Sequence, residues 1–164
     1  MFLQELDERG CDAHGCGHYG ASRINHTHKG VDLCIPPYTP VQCGFDGTVI
    51  KVGYPYRGAA KSHIRYVAVK FDDTHQQIME EIYGNGLWHC RVFYVKPIVY
   101  TGDLINWDTI IGDSQKLGGF YDGITEHVHF ELYTLIDDTA SEHNKLNFDY
   151  VNPDDFLDYV SGGF

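Results

Sequence analysis

The residues best equipped for chemistry lie in the segment Glu126-His127-Val128-His129-Phe130-Glu131-Leu132. In an extended strand alternate side chains share a face, so His127, His129 and Glu131 point one way and Val128, Phe130 and Leu132 point into a core. Imidazoles at i and i+2 stand about 6–7 Å apart along the backbone, near enough to work on one ion or on a reaction beside it. Surface strands carry such pairs by chance, so the motif alone is only moderately specific. Roughly a hundred residues upstream, His28-Lys29-Gly30-Val31-Asp32 adds another imidazole and a carboxylate. Both are good zinc ligands, with metal bonds of about 2.0–2.2 Å. In a straight strand i and i+4 are about 13 Å apart, too far to share an ion. The segment must therefore turn, and Gly30 sits where a backbone does so cheaply. The bland alternative is a surface loop with an ordinary His and Asp.

Taken together, the segments offer two histidines and one carboxylate and leave a fourth position open, the layout of a catalytic rather than a structural zinc. Such an ion lowers the pKa of its water toward about 7 and polarises a carbonyl, which implies hydrolysis of an amide bond. The elements that must position these groups read as mainly β. Apolar residues come in short runs broken by Gly, Pro and Asp, and the chain holds 18 glycines and 12 tyrosines. Strands are expected at residues 30–35, 47–52, 66–71, 90–95, 104–105, 109–111 and 127–133. Residues 1–27 read as irregular, with one short helix near the start. Residues 72–86 read as a loop or short helix, 112–125 as a Gly-rich loop, and 151–160 as a closing helix with Asn152 as cap and Pro153 in its first turn. No repeat or linker divides the chain, so a single domain is expected over residues 1–164.

The charge balance narrows the partners. Against 23 Asp+Glu stand 12 Lys+Arg, a formal net charge of -11. Nucleic acid and anionic membranes need clustered positive charge, and no run of Lys or Arg supplies it. No apolar stretch approaches the roughly 20 residues that cross a bilayer, so membrane insertion is not expected. The start, Met-Phe-Leu-Gln-Glu-Leu-Asp-Glu-Arg, lacks the basic and apolar regions of a secretory signal. Of the five cysteines, none pairs as C-x-x-C. Cys11 and Cys16 lie in a Gly-rich stretch where a short disulfide loop is sterically reasonable; the alternative is five reduced thiols. Of the ten histidines, His14, His18, His26, His63, His75 and His143 are expected to be solvated or locally hydrogen-bonded. Glu131 shares the face of His129 and either supports a ligand or, as is more usual, bonds a neighbouring strand or solvent. Tyr54, Tyr56, Trp88, Trp107, Phe120 and Tyr121 either floor a groove or fill a β core.

H-x-G-x-D followed by H-x-H-F-E resembles the LytM/lysostaphin-type zinc endopeptidases of bacterial cell walls. The likeness runs from Arg23 to Leu157 and includes Gly47-Thr-Val-Ile, the turn from Thr101 to Gly112, and the ending from Val151 to Leu157. It implies one antiparallel β-sheet or sandwich domain with long loops around a zinc groove. It further implies a single Zn2+ held by His28, Asp32 and His129, and His127 as the catalytic histidine. Arg23 would line the groove, and the substrate would be the peptide cross-links of peptidoglycan. That substrate places the protein outside the cytoplasm, secreted, periplasmic or virion-associated, with export by a phage particle or lysis if no signal precedes the chain. A closer local similarity is to the leukocyte cell-derived chemotaxin family, in C-D-x-H-G-C-G, H-x-G-V-D, F-Y-V-K-P-I and H-V-H-F-E. That likeness implies a Cys11–Cys16 bond and leaves Cys34 either bonded to Cys43 or free. One departure stands out. Active wall peptidases carry a second catalytic histidine in a Y-x-H-L strand, and Val92-Phe93-Tyr94-Val95 places Tyr94 there. His89 is five residues away, an odd spacing that points it to the opposite face from Tyr94. Tyr94 can donate to a developing oxyanion, or it marks a site that binds zinc and cleaves nothing.

Overall fold

The short apolar runs become strands. In the computed structural model, which describes residues 1–135 and 148–162, the strands in chain order are β1 (Cys11–Asp12), β2 (Gly15–Cys16), β3 (Val31–Cys34), β4 (Pro40–Gln42), β5 (Gly47–Gly53) and β6 (Tyr66–Phe71). The helix α1 (Asp73–Tyr83) follows, then β7 (Trp88–Phe93), β8 (Val95–Pro97), β9 (Leu104–Ile105), β10 (Ile110–Ser114), β11 (His127–Leu135), β12 (Phe148–Val151) and the helix α2 (Asp154–Val160). The main sheet runs β12-β11-β7-β6-β5-β9, with β3 also beside β11. A smaller sheet is ordered β4-β10-β8, and β1-β2 form a hairpin. Among the described residues no helix is long and apolar enough to cross a membrane.

β11 organises the rest. One edge pairs with β7; the other pairs with β3 along its first half and with β12 along its second, all antiparallel. The alternation expected for this segment holds: Val128, Phe130 and Leu132 are fully buried in the main core. There Phe130 stacks with Phe45 and Phe156. The odd-numbered face, carrying His127, His129 and Glu131, lines a cleft.

Several elements depart from expectation for local reasons. Residues 72–86, left open between loop and helix, form α1, whose first turn is capped by the Asp72 carboxylate accepting from the His75 backbone at 2.9 Å. The closing helix begins later than residue 151, because Val151 pairs with Leu132 in β12. Pro153 takes the cap position itself, while the Asn152 side chain accepts from the Asp154 backbone at 3.3 Å. The strand expected over 90–95 breaks at Tyr94, whose φ of 66° lies in the left-handed region rare for a bulky residue. Its carbonyl accepts from Gln115 and its amide donates to Arg65, so Val95 leaves the main sheet for the smaller one. β1, β2, β4 and β12 are too short or too exposed for periodicity to reveal. The irregular start contains a 3-10 turn at Leu3–Glu5, and Cys11 is bonded to Cys16 across the hairpin. Cys34 and Cys43 carry thiols.

Gly30 lies at the bend expected of this segment, and it has a second role as well. Its φ lies outside the left-handed range, but a Cβ there would sit 2.1 Å from the Phe130 carbonyl oxygen. The glycine therefore permits β3 to approach β11 closely. Gly30→Ala is expected to lower stability by on the order of 1–3 kcal/mol, as overpacking does, measured as a lower midpoint in urea unfolding. An unchanged midpoint would show that this contact relaxes freely.

Candidate metal centre

The β3–β11 register sets Asp32 opposite His129 and Cys34 opposite His127. His28 lies before β3, held by bonds from its amide to Ala21 and from Gly20 to its carbonyl. It thereby escapes the extended i,i+4 separation and brings Nε2 to 3.1 Å from Asp32 Oδ1. His129 Nδ1 lies 2.8 Å from the same oxygen and 2.9 Å from His28 Nε2. Among the described residues His28, Asp32 and His129 form a buried group whose ligand atoms all lie within 4.8 Å of one another.

The outer edges of the rings decide what the inner edges offer. His28 Nδ1 donates to the His18 carbonyl at 2.9 Å, His129 Nε2 to Glu131 Oε1 at 3.0 Å, and His127 Nδ1 to the Thr125 carbonyl at 2.6 Å. Carbonyl and carboxylate oxygens only accept, so each neutral ring carries its proton on the outer nitrogen and a bare lone pair on the inner one. With both rings neutral, His28 Nε2, His129 Nδ1 and Asp32 Oδ1 are three acceptors within hydrogen-bonding distance, so the cluster needs either a shared proton or a metal ion at its centre. Fixed outer nitrogens are also how protein histidines are oriented toward metals. Burial works against a charged His129, yet its bonds with Asp32 and Glu131 prevail and push it up to about 9. Burial likewise opposes the Asp32 carboxylate, but bonds from His129 and His28 hold it far below the usual carboxylate range.

His127 stands beside this group, its Nε2 at 3.6 Å from Asp32 Oδ1. Burial lowers its pKa, so the inner nitrogen is a free base. The ring of Tyr94 meets it edge-on, with centroids 5.3 Å apart and planes at 89°. The Tyr94 hydroxyl is bonded to that of Tyr56 at 2.9 Å. Burial and the Tyr56 neighbour push the Tyr94 pKa well above its ordinary value, which keeps it a neutral phenol. The cleft above measures about 550 Å³ and is walled by residues including Arg23, Tyr56, Tyr121 and Ile124. Arg23 Nη2 donates to the Cys16 carbonyl at 2.8 Å and stands 3.9 Å from Asp32 Oδ2.

No family model matches the chain. Mouse leukocyte cell-derived chemotaxin-2 is 32% identical to it over 133 residues, covering 80% of this chain and 77% of the relative. The chain belongs to the leukocyte cell-derived chemotaxin-2 family. Its fold is that of the LytM/lysostaphin peptidases. The catalytic domain of lysostaphin from Staphylococcus simulans superposes with a TM-score of 0.57 at 20% identity, covering 94% of each chain. The catalytic domain of the prophage-encoded protein EnpA from Enterococcus faecalis gives 0.52 at 22% identity, covering 85% of this chain and 88% of that one.

Within this chemotaxin-family chain three groups differ from the sequence reading. Glu131, expected to bond a strand or solvent sooner than to support a ligand, joins His129 to Arg91, whose Nη2 lies 2.7 Å from Glu131 Oε2. Arg9, which no motif or periodicity marks, grips Asp32 Oδ2 through Nε at 3.1 Å and Nη2 at 2.8 Å. His89 shares a face with Arg91 and Phe93 by even spacing, and Tyr94, expected on the opposite face, turns to the same cleft because its left-handed backbone leaves the alternation. It still cannot replace a catalytic histidine: it pairs with Tyr133, four cross-strand pairs along from His129. The remaining histidines stay outside the ligand group. His14 and His26 line the cleft, His75 bonds the Asp72 carboxylate at 2.8 Å, and His143 lies outside the described residues. Of the aromatic candidates, Trp88 is buried in the core while Tyr54, Trp107 and Phe120 are exposed.

His89 also yields a pH expectation. Burial brings its pKa from 6.5 to about 4, although Nδ1 donates to the Leu87 carbonyl. Across that window the unfolded chain binds a proton that the folded chain refuses, so stability falls as pH drops from 6.5 toward 4. His89→Gln should flatten the pH dependence of Tm there, read by calorimetry. A slope equal to wild type would mean that His89 is charged in the folded protein.

Proposed function

We propose that this protein is a zinc-dependent endopeptidase that hydrolyses peptide cross-links of bacterial peptidoglycan, acting outside the cytoplasm and carried by a phage particle, secretion or lysis. The observation that carries this reading is the convergence of two imidazole nitrogens and one carboxylate oxygen, beside the bare Nε2 of His127, at the floor of an open cleft. Two histidines and one carboxylate fit zinc with a position left for substrate, the ligand count of a hydrolytic rather than a structural site. Zinc held by His28, Asp32 and His129 would act as a Lewis acid toward an amide carbonyl.

The chain's own groups supply the rest. His127 Nε2 is a neutral base that can take a proton from the attacking water and return it to the leaving amine, while Thr125 holds the ring in that tautomer. Tyr94 keeps its phenolic proton and can donate it in a hydrogen bond to oxygen as negative charge develops. Arg23, on the cleft wall, is placed to bind peptide carbonyl or carboxylate groups. A disulfide across β1-β2 suits an oxidising compartment, and the net charge of -11 argues against a nucleic-acid partner. One observation favours a second reading: the Tyr94 hydroxyl is engaged by Tyr56 at the place where active wall peptidases carry a histidine. On that reading zinc stabilises a recognition or signalling module that cleaves nothing.

Purified protein incubated with murein sacculi, with and without chelator, separates the two readings. The endopeptidase releases muropeptides only while metal is present. His127→Ala should slow release by about 10²–10⁴-fold, and Tyr94→Phe by about 10²–10³-fold if the phenol steadies the oxyanion. Stoichiometric zinc with no cleavage of any wall type would refute the enzyme and support the module.

A further inference from the structure

We infer that Arg9 is the positioning residue for the carboxylate ligand, and that the disulfide-closed β1-β2 hairpin holds Arg9 in place; the inference rests on the metal reading of His28, Asp32 and His129. A carboxylate presents two equivalent oxygens, and an untethered Asp32 can turn either one, or both, toward an ion. Here the oxygens are sorted. Oδ1 faces His28 Nε2 and His129 Nδ1 at 3.1 and 2.8 Å, while Oδ2 is occupied by the Nε and Nη2 of Arg9. Arg9 is 2% exposed, so this charge-assisted pair of bonds is sheltered from water and stronger than a neutral one. The planar guanidinium makes the grip directional in a way that a lysine ammonium does not.

The hairpin supplies the other half of the device. Arg9 Nη1 donates to the Gly15 carbonyl in β2 at 3.1 Å and lies 2.6 Å from Asp12 Oδ2 in β1. Main-chain bonds close the same circle, from Arg9 to Asp32, from Asp32 to Gly17 and from Gly17 back to Arg9. Gly17 permits that last approach, because a Cβ there would lie 2.4 Å from the Arg9 carbonyl oxygen. Asp12 Oδ2 also accepts from the Thr125 backbone at 2.9 Å, and the Thr125 carbonyl is what orients His127. The Cys11–Cys16 bond joins the paired ends of this hairpin. The N-terminal segment thus reaches both Asp32 and His127 without contributing a ligand. Its disulfide is coupled to how tightly the centre holds an ion.

Arg9 also places a positive charge near the cation, so a neutral replacement would change attraction and orientation together. Arg9→Lys keeps the charge and removes the fork, which isolates orientation. The experiment uses the full chain and titrates Zn2+ by competition against a chromophoric chelator, with cobalt(II) substitution to read coordination geometry from its visible bands. Wild type, Arg9→Lys, Asp12→Asn and Cys11→Ser/Cys16→Ser are compared, each checked for a cooperative melt. Arg9→Lys and the cysteine variant should bind zinc about 10–100-fold more weakly, the usual effect of losing a group that orients a ligand, and shift the cobalt bands. Affinity and bands equal to wild type in the folded variants would overturn the inference. If Arg9→Lys does not fold, Asp12→Asn and the cysteine variant decide by the same criteria, since both retain Arg9. A wild-type chain that takes up no stoichiometric zinc would instead refute the metal reading itself, a distinguishable result.

Discussion

Asp32 Oδ1 is the atom around which the rest of the site is arranged, because two imidazole nitrogens face it and, while both rings are neutral, none of the three has a hydrogen to share. Electron-rich atoms this close repel one another, and burial removes the water that would otherwise separate them. The cluster is tolerable only with positive charge at its centre, a proton or a metal ion. The raised pKa of His129 and the depressed pKa of Asp32 are two expressions of that one constraint. The groups behind the rings enforce it further: the His18 and Thr125 carbonyls and the Glu131 carboxylate hold the outer protons, so the inner lone pairs cannot relax by exchanging tautomers.

This explains where an acidic chain places its scarce arginines. Buried carboxylates need a partner or they become protonated. Arg9 partners Asp32 from the side away from the histidines, and Arg91 partners Glu131 in the same way. Each arginine balances one buried negative charge without entering the ligand group. Arg91 is further enclosed by the rings of Phe93, Tyr133, Phe148 and Tyr150, so its packing and its charge both fix the far end of the cleft. The two flanking ion pairs tie β3 to the N-terminal segment and β7 to β11 at the floor of the cleft, and partners of this kind orient the groups they bond.

Tyr94 relates the fold to the chemistry in another way. Its left-handed backbone lets the chain pass from the main sheet at Phe93 to the smaller sheet at Val95. The same turn aims its ring at His127 and its hydroxyl at Tyr56. The cleft is walled on this side by residues from the loops around Tyr56 and Tyr121, whereas α1 does not line it.

What the amino-acid sequence determined by itself was whatever depends on short-range periodicity and residue chemistry. The alternation in β11 put His127, His129 and Glu131 on one face. The H-x-G-x-D and H-x-H segments named the groups that converge, and most strands stood out as apolar runs between turn residues. Beyond its reach were facts created by contacts between distant segments. The close approach of Gly30 to the Phe130 carbonyl could not be read from its place at a bend, and the face of Tyr94 relative to His89 was misjudged because Tyr94 is left-handed and leaves the strand's alternation. Arg9 carries no local signal at all: it matters because the hairpin packs beside β3, and only the folded chain decides which oxygen of Asp32 it takes. Local pattern fixes which side chains share a face, since backbone geometry repeats every residue or two. The partners of a buried charge are set by long-range packing, which no local spacing encodes.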